Sequence, residues 1–225
     1  MKITKHILDV LCPQGKDSIT GSVAEYFNTY AEKYGITTPS RIAHFFAQAA
    51  HESAHFATLE EYASGAAYEG RKDLGNTQSG DGKRYKGRGI FQLTGRANYR
   101  VFGNRIGQDL EDNPELASTG EISVQTALEY WKDRKLNGYA DVDDVVAVTK
   151  RINGGTNGLD DRRSILVKMK NILTQVILNE ALNLSLKVDG DIGPSSVEAI
   201  KKFQTSKGLT SDGKLGPKTL KALGF

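Results

Sequence analysis

Cysteine occurs once in this chain, at Cys12. No intramolecular disulfide can staple the fold, and the count fits a protein made in a reducing cytosol. No apolar run approaches the ~20 residues that a membrane-spanning helix needs. The first sixteen residues, MKITKHILDVLCPQGK, lack both a long apolar segment and a small-residue cleavage site, which argues against a signal peptide. Lysine and arginine exceed aspartate and glutamate by only three, 30 against 27. That excess is too small and too scattered to point to nucleic acid. What is present is ordinary globular usage, 38% hydrophobic and 25% charged, which excludes global disorder. A length of 225 residues holds one large domain, or a medium one with a small appendage.

Proline appears five times, and ten of the 24 glycines fall between Gly65 and Gly107. That stretch is expected to be rich in loops, which in compact domains often carry function. The flanking segments read as helices. The clearest begins at Thr38-Pro39, a capping threonine before proline at the first helical position. Ile42, Phe45, Phe46, Ala49, Ser53 and Phe56 then share one stripe at helical spacing. Further helices are expected over Ser18–Lys33, Ile122–Arg134, Asp143–Ile152 and Arg162–Leu182.

The last 45 residues contain an internal repeat. Asp189-Gly-Asp-Ile-Gly-Pro194 precedes Val197, Ala199 and Ile200, and twenty-three residues later Asp212-Gly-Lys-Leu-Gly-Pro217 precedes Leu220, Ala222 and Leu223. Each copy reads as an Asp-Gly turn followed by Gly-Pro opening a short helix. Asp189 and Asp191 suggest calcium, but the other ligands of a calcium loop are missing.

His51-Glu52-Ser53-Ala54-His55 matches the zinc-protease pattern H-E-x-x-H, in which two histidines on one helical face bind metal and the glutamate activates water. On a helical wheel with Ile42 at zero, however, His44, His51 and His55 fall near 200°, 180° and 220°, opposite the apolar stripe. That face is expected to be polar and exposed; a zinc site there would need another layer of protein to cover it and a third ligand, for which Glu69 is available but not singled out.

Glu52 falls at the border of the apolar stripe, where half-burial suits a general acid. Glu60 and Glu61 follow. Continued as helix, Glu61 would lie 180° around and roughly 13 Å along the axis from Glu52. For the two to face one substrate, the helix must end near Ala57 or Thr58 and the chain turn back.

Ala50-His-Glu-Ser53 with Phe56, the run from Tyr85 to Tyr99 (YKGRGIFQLTGRANY), and Ile152-Asn-Gly-Gly-Thr-Asn-Gly158 together resemble glycoside hydrolase family 19, which contains chitinases and phage endolysins. The resemblance spans roughly residues 40–165. It implies Glu52 as general acid, Glu61 as general base and Thr94 as a hydroxyl holding the attacking water. It also implies Gln92, Asn98, Asn153 and Arg162 as substrate-side residues, with Arg88 and Tyr99 of the central block placed beside them. An inverting mechanism follows, with the two carboxyls roughly 6.5–9.5 Å apart. Ile90 stands where the chitinase pattern has proline, and the disulfides of plant-type members cannot form here. Both departures shift the expected substrate from chitin towards peptidoglycan.

The tail resembles the small three-helix peptidoglycan-binding domain. The expected fold is mainly α, a lysozyme-like or chitinase-like helical catalytic domain over 1–172 with a three-helix module over 173–225. The expected protein is a monomeric, lysozyme-type (muramidase) endolysin without metal or cofactor, not membrane-embedded and without nucleic-acid partners. It would be stored in a host cytoplasm and released by a holin-like partner to act on the wall. Three other readings stand beside it. A chitinase acts on N-acetylglucosamine polymers, a zinc peptidase uses His51 and His55, and a non-catalytic wall binder releases nothing.

Overall fold

A computed structural model describes residues 1–225. The chain is mostly helical and has no strand, only isolated bridges pairing Arg88 with Glu60 and with Leu93. No helix is long and apolar enough to cross a membrane. The residues divide into two compact bodies.

The first body comprises residues 2–35 and 48–136. Helices α1 (Lys5–Leu11) and α2 (Asp17–Tyr30) pack on each other. Instead of running to Lys33, α2 tightens into a 3-10 turn over Ala31–Tyr34 and stops at Gly35 in the left-handed conformation. The end of α3 (Pro39–Glu52) enters this body, followed by the loops of the glycine-rich stretch, the single turn α4 (Asp81–Arg84) and α5 (Arg96–Ile106). Helix α6 (Gly120–Asp133) packs on α2 and α5. Trp131 of α6 is wholly buried, with the Phe91 ring 6.4 Å away. Tyr85, Leu93, Tyr99, Phe102 and Ile122 form a second apolar cluster between the loops and α5.

The second body comprises residues 36–47 and 137–225 with Met1. It holds the start of α3, α7 (Leu136–Asp141) from Asn137 on, α8 (Val145–Asn153), α9 (Leu159–Leu182), α10 (Pro194–Ser206) and α11 (Pro217–Leu223). Thr38 caps α3, accepting from the Arg41 amide at 3.3 Å, and Asp144 caps α8 through the Ala147 amide. Leu178 of α9 joins Ala199, Ile200, Phe203 and Leu223 in a small separate core that seats α10 and α11.

The expected exposed histidine face of α3 is not formed. Residues 42–50 are buried on every side, so the helix has no solvent face for a histidine stripe. His44 is 0% exposed; its Nε2 lies 2.8 Å from Asp143 Oδ1, and Lys170 Nζ of α9 donates to the same carboxylate at 2.6 Å. A buried polar ring is tolerable because it has a charged partner.

Candidate active site

The H-E-x-x-H segment is not a continuous helix. α3 ends at Glu52, five residues before the point at which sequence reasoning ends it. Ala54, His55 and Phe56 then take φ of 51°, 59° and 61°. Left-handed backbone disfavours residues bearing Cβ by about 1–2 kcal/mol each, so the turn must be held. Ser53 Oγ donates to Ala49 O at 2.7 Å and accepts from the Phe56 amide at 3.0 Å. Lys16 donates its amide to Phe56 O at 3.0 Å, and the Phe56 ring is wholly buried. His55 therefore leaves the face of His51, its Nδ1 lying 3.9 Å from Cys12 Sγ. Two histidines on successive helical turns, the geometry a zinc peptidase requires, are not formed. Nor does any cluster of three His, Cys, Asp or Glu side chains fit a metal ion.

Glu52, the last residue of α3, is half-buried. Burial raises the pKa of the neighbouring Tyr130 phenol; Arg134 opposes that rise and the Glu52 carboxylate adds to it.

Beyond the turn the chain doubles back and is pinned along the loop 86–89. Gly89 donates its amide to Leu59 O at 2.7 Å, and the Glu61 amide donates to Gly87 O at 2.9 Å. The two neighbouring glutamates part company here. Glu60 Oε1 lies 3.2 Å from both Lys86 Nζ and Arg88 Nη2, so its charge is already matched. Glu61 faces the other way: Tyr68 Oη donates to Oε1 at 3.0 Å and the Gly87 amide to Oε2 at 3.1 Å. Each oxygen keeps a lone pair for a further donor such as water.

Residues 88–93 form a tight loop closed by Arg88 and Leu93, which exchange backbone bonds of 3.1 and 2.7 Å. Gln92 sits at its tip with φ 49°, its Nε2 donating to Gly89 O at 2.9 Å. A Cβ on Gly87 would stand 2.7 Å from Gln92 Oε1 and 3.2 Å from Glu61 Oε2, so those two oxygens converge on the bare face of the glycine. Thr94 Oγ1 donates to Gln92 O at 2.8 Å, and Asn98 Nδ2 to Thr94 O at 2.7 Å. Gln92, Thr94 and Asn98 are thus tied into one bonded series within the first body, with the Glu61 carboxylate beside Gln92 over Gly87.

Three expected substrate contacts are placed elsewhere. Tyr99 is 0% exposed; its hydroxyl donates to Lys86 O at 2.7 Å, and burial, opposed by Arg88, pushes it up to about 12. Arg88 is buried and spends Nη1 on Arg84 O and Tyr99 Oη. Both hold the loop from behind. Arg162, in the first turn of α9, is wholly buried, which excludes direct contact with a ligand. Asn153 is exposed at the end of α8; like Arg162, it belongs to the second body. Sequence reasoning missed Tyr68, Lys86 and Gly87. Only Gly87 carried a signal, a glycine inside the Tyr85-Lys-Gly-Arg-Gly89 run.

Residues 17–162 match the glycoside hydrolase family 19 model, described as chitinase class I. The chain belongs to glycoside hydrolase family 19. Residues 172–223 match a peptidoglycan binding domain model. A family 19 domain-containing protein of Haemophilus influenzae is 44% identical over 95 residues, 42% of this chain and 46% of that one. Endochitinase EP3 of Arabidopsis thaliana is 35% identical over 119 residues, 51% of this chain and 44% of its own. The chain thus spans less than half the length of these curated relatives. Chitinase C of Streptomyces griseus shares the fold with a TM-score of 0.62 at 17% identity, covering 83% of this chain and 96% of that structure. A class IV chitinase of Zea mays gives 0.57 at 20% identity, covering the same shares.

Proposed function

We propose that this family 19 member hydrolyses the glycan backbone of peptidoglycan by a lysozyme-type, inverting reaction. The observation that carries the chemistry is the held carboxylate of Glu61, with one donor on each oxygen, following a turn that begins at Glu52. Glu52 protonates the leaving oxygen and Glu61 takes a proton from the attacking water as oxocarbenium character develops. Thr94 has already given its only hydroxyl hydrogen to Gln92 O, so towards that water it can only accept. The water then points one hydrogen at Glu61 and the other at Thr94, leaving a lone pair for the anomeric carbon.

The choice of peptidoglycan rests on the match of residues 172–223 to a peptidoglycan binding domain. The relatives named as chitinases and endochitinases support a second reading, hydrolysis of N-acetylglucosamine polymers. A cytosolic store, a phage origin and a separate membrane-permeabilising protein complete the endolysin reading; the single cysteine agrees with the first of these.

Mass spectrometry of products released from purified sacculi, with and without EDTA, tests the reaction. New N-acetylmuramic acid reducing ends that persist in EDTA are expected. N-acetylglucosamine reducing ends, or stronger activity on chitin oligomers, would transfer the assignment to the second reading.

A further inference from the structure

The repeat in the tail is a repeat in three dimensions. The buried side chain of Gln175 enters the first Asp-Gly loop: its Oε1 accepts from the amides of Asp189 and Gly190, at 3.1 and 2.9 Å. Its Nε2 donates to Asp189 Oδ1, Asp191 O and Ser196 Oγ. Gln204, equally buried, does the same for the second loop. Its Oε1 accepts from the Gly213 amide at 2.8 Å, and its Nε2 donates to Asp212 Oδ1, Lys214 O and Thr219 Oγ1. Gly190 and Gly213 share the left-handed backbone, φ 81° and 72°. Each loop borders a pocket floored by its glutamine and edged by its Gly-Pro, of about 340 Å³ at the first copy and 380 Å³ at the second.

The linings say what such pockets take. Neither contains an aromatic residue, and the nearby Phe203 is core, 2% exposed, so no ring is offered to a sugar face. Each holds both signs of charge: Asp189 and Asp191 with Lys187 in one, Asp212 with Lys214 and Lys218 in the other. Oδ1 of Asp189 and of Asp212 is spent inside the loop, and on the first rim Asp189 Oδ2 pairs with the exposed Lys187 Nζ at 3.4 Å. A ligand carrying carboxylate and ammonium together can form charge-assisted hydrogen bonds to such a rim. Resting on the reading that this tail binds peptidoglycan, we propose that the module has two equivalent sites, each taking one zwitterionic peptide stem of the wall rather than its sugars. Two weak sites on one rigid module raise affinity for a polymer of repeated stems without any new contact.

The test is calorimetric titration of the full chain, made inactive by Glu52→Gln, with the free tripeptide L-alanyl-γ-D-glutamyl-diaminopimelate. Two peptides per chain are expected. Ser195→Trp and Lys218→Trp, at exposed matching positions on the two rims, should each leave one. The double variant should bind none while its unfolding midpoint stays within a few degrees. One peptide per parent chain, or two that ignore both substitutions, overturns the proposal. Retained pelleting with sacculi and binding of peptide-stripped glycan strands, without peptide binding, overturns it in favour of sugar sites and leaves wall binding intact. Loss of all three interactions in a folded chain overturns wall binding itself.

Discussion

Gly87 and Glu61 exchange two hydrogen bonds, the Glu61 amide to Gly87 O at 2.9 Å and the Gly87 amide to Glu61 Oε2 at 3.1 Å. The glycine therefore fixes both the backbone and the carboxylate of the candidate base. Gly87→Ala drives a methyl to within 2.7 Å of Gln92 Oε1. The chain is expected to fold and bind sacculi, while kcat falls by roughly 10- to 100-fold, the scale of a misplaced reacting group. Wild-type turnover in the variant would detach Gly87 from the chemistry.

The two neighbouring glutamates separate cleanly by substitution. Glu61→Gln and Glu52→Gln should each lower hydrolysis by about 10²–10⁴-fold, the worth of a positioned proton-transfer group. Glu60→Gln breaks ion pairs to Lys86 and Arg88 and should lower turnover by less than tenfold. Release of reducing ends from sacculi ranks the three. A larger loss at position 60 than at 61 would reverse the assignment of the base.

Tyr68→Phe removes one of the two donors on the Glu61 carboxylate and little else. A several-fold fall in kcat with KM nearly unchanged is expected from steady-state kinetics on soluble glycan. An equal rise in KM would instead make Tyr68 a substrate contact.

Acid should loosen the second body at Asp143. Burial raises the pKa of this carboxylate, but hydrogen bonds from His44 and Lys170 outweigh it and bring it down to about 2. Because the folded value lies below the unfolded one, the stabilisation is full above about pH 4 and is lost as pH falls towards 2. The side chain is 55% exposed, so solvent screening leaves roughly 1–2 kcal/mol. Asp143→Asn keeps a residue type tolerant of the local φ of 57°. Urea unfolding should find it destabilised by that amount at pH 7 and equal to wild type near pH 2. A difference that persists at pH 2 would trace the effect to packing.

How much was legible depended on where the physics is local. The Asp-Gly and Gly-Pro repeat announced its turns because aspartate, glycine and proline act on their own backbone, and both loops are there. α9 begins three residues earlier than its pattern suggested and ends where expected. The left-handed turn at Ala54, His55 and Phe56 carried no such mark, since it is imposed by Ser53, Lys16 and the burial of Phe56 rather than by the residues that adopt it. His44 misled for a related reason: a wheel assumes a helix with one wet side, and α3 has none over residues 42–50. The parting of Glu60 from Glu61 was likewise invisible, because it is decided by Lys86, Gly87 and Arg88, some 26 residues on.

α9 runs unbroken from Leu159 to Leu182, so the stretch matching the hydrolase family ends at residue 162, and the wall-binding match begins at residue 172, on the same helix. Cutting the gene after residue 172 would end the chain within a row of wholly buried side chains, Ile172, Leu173 and Leu178. Grafting this tail onto another catalytic domain becomes a question of phase. Each residue added or removed in the connecting helix turns everything beyond it by about 100° and shifts it by about 1.5 Å. A seven-residue insertion nearly restores the angle and moves the tail outward by about two turns.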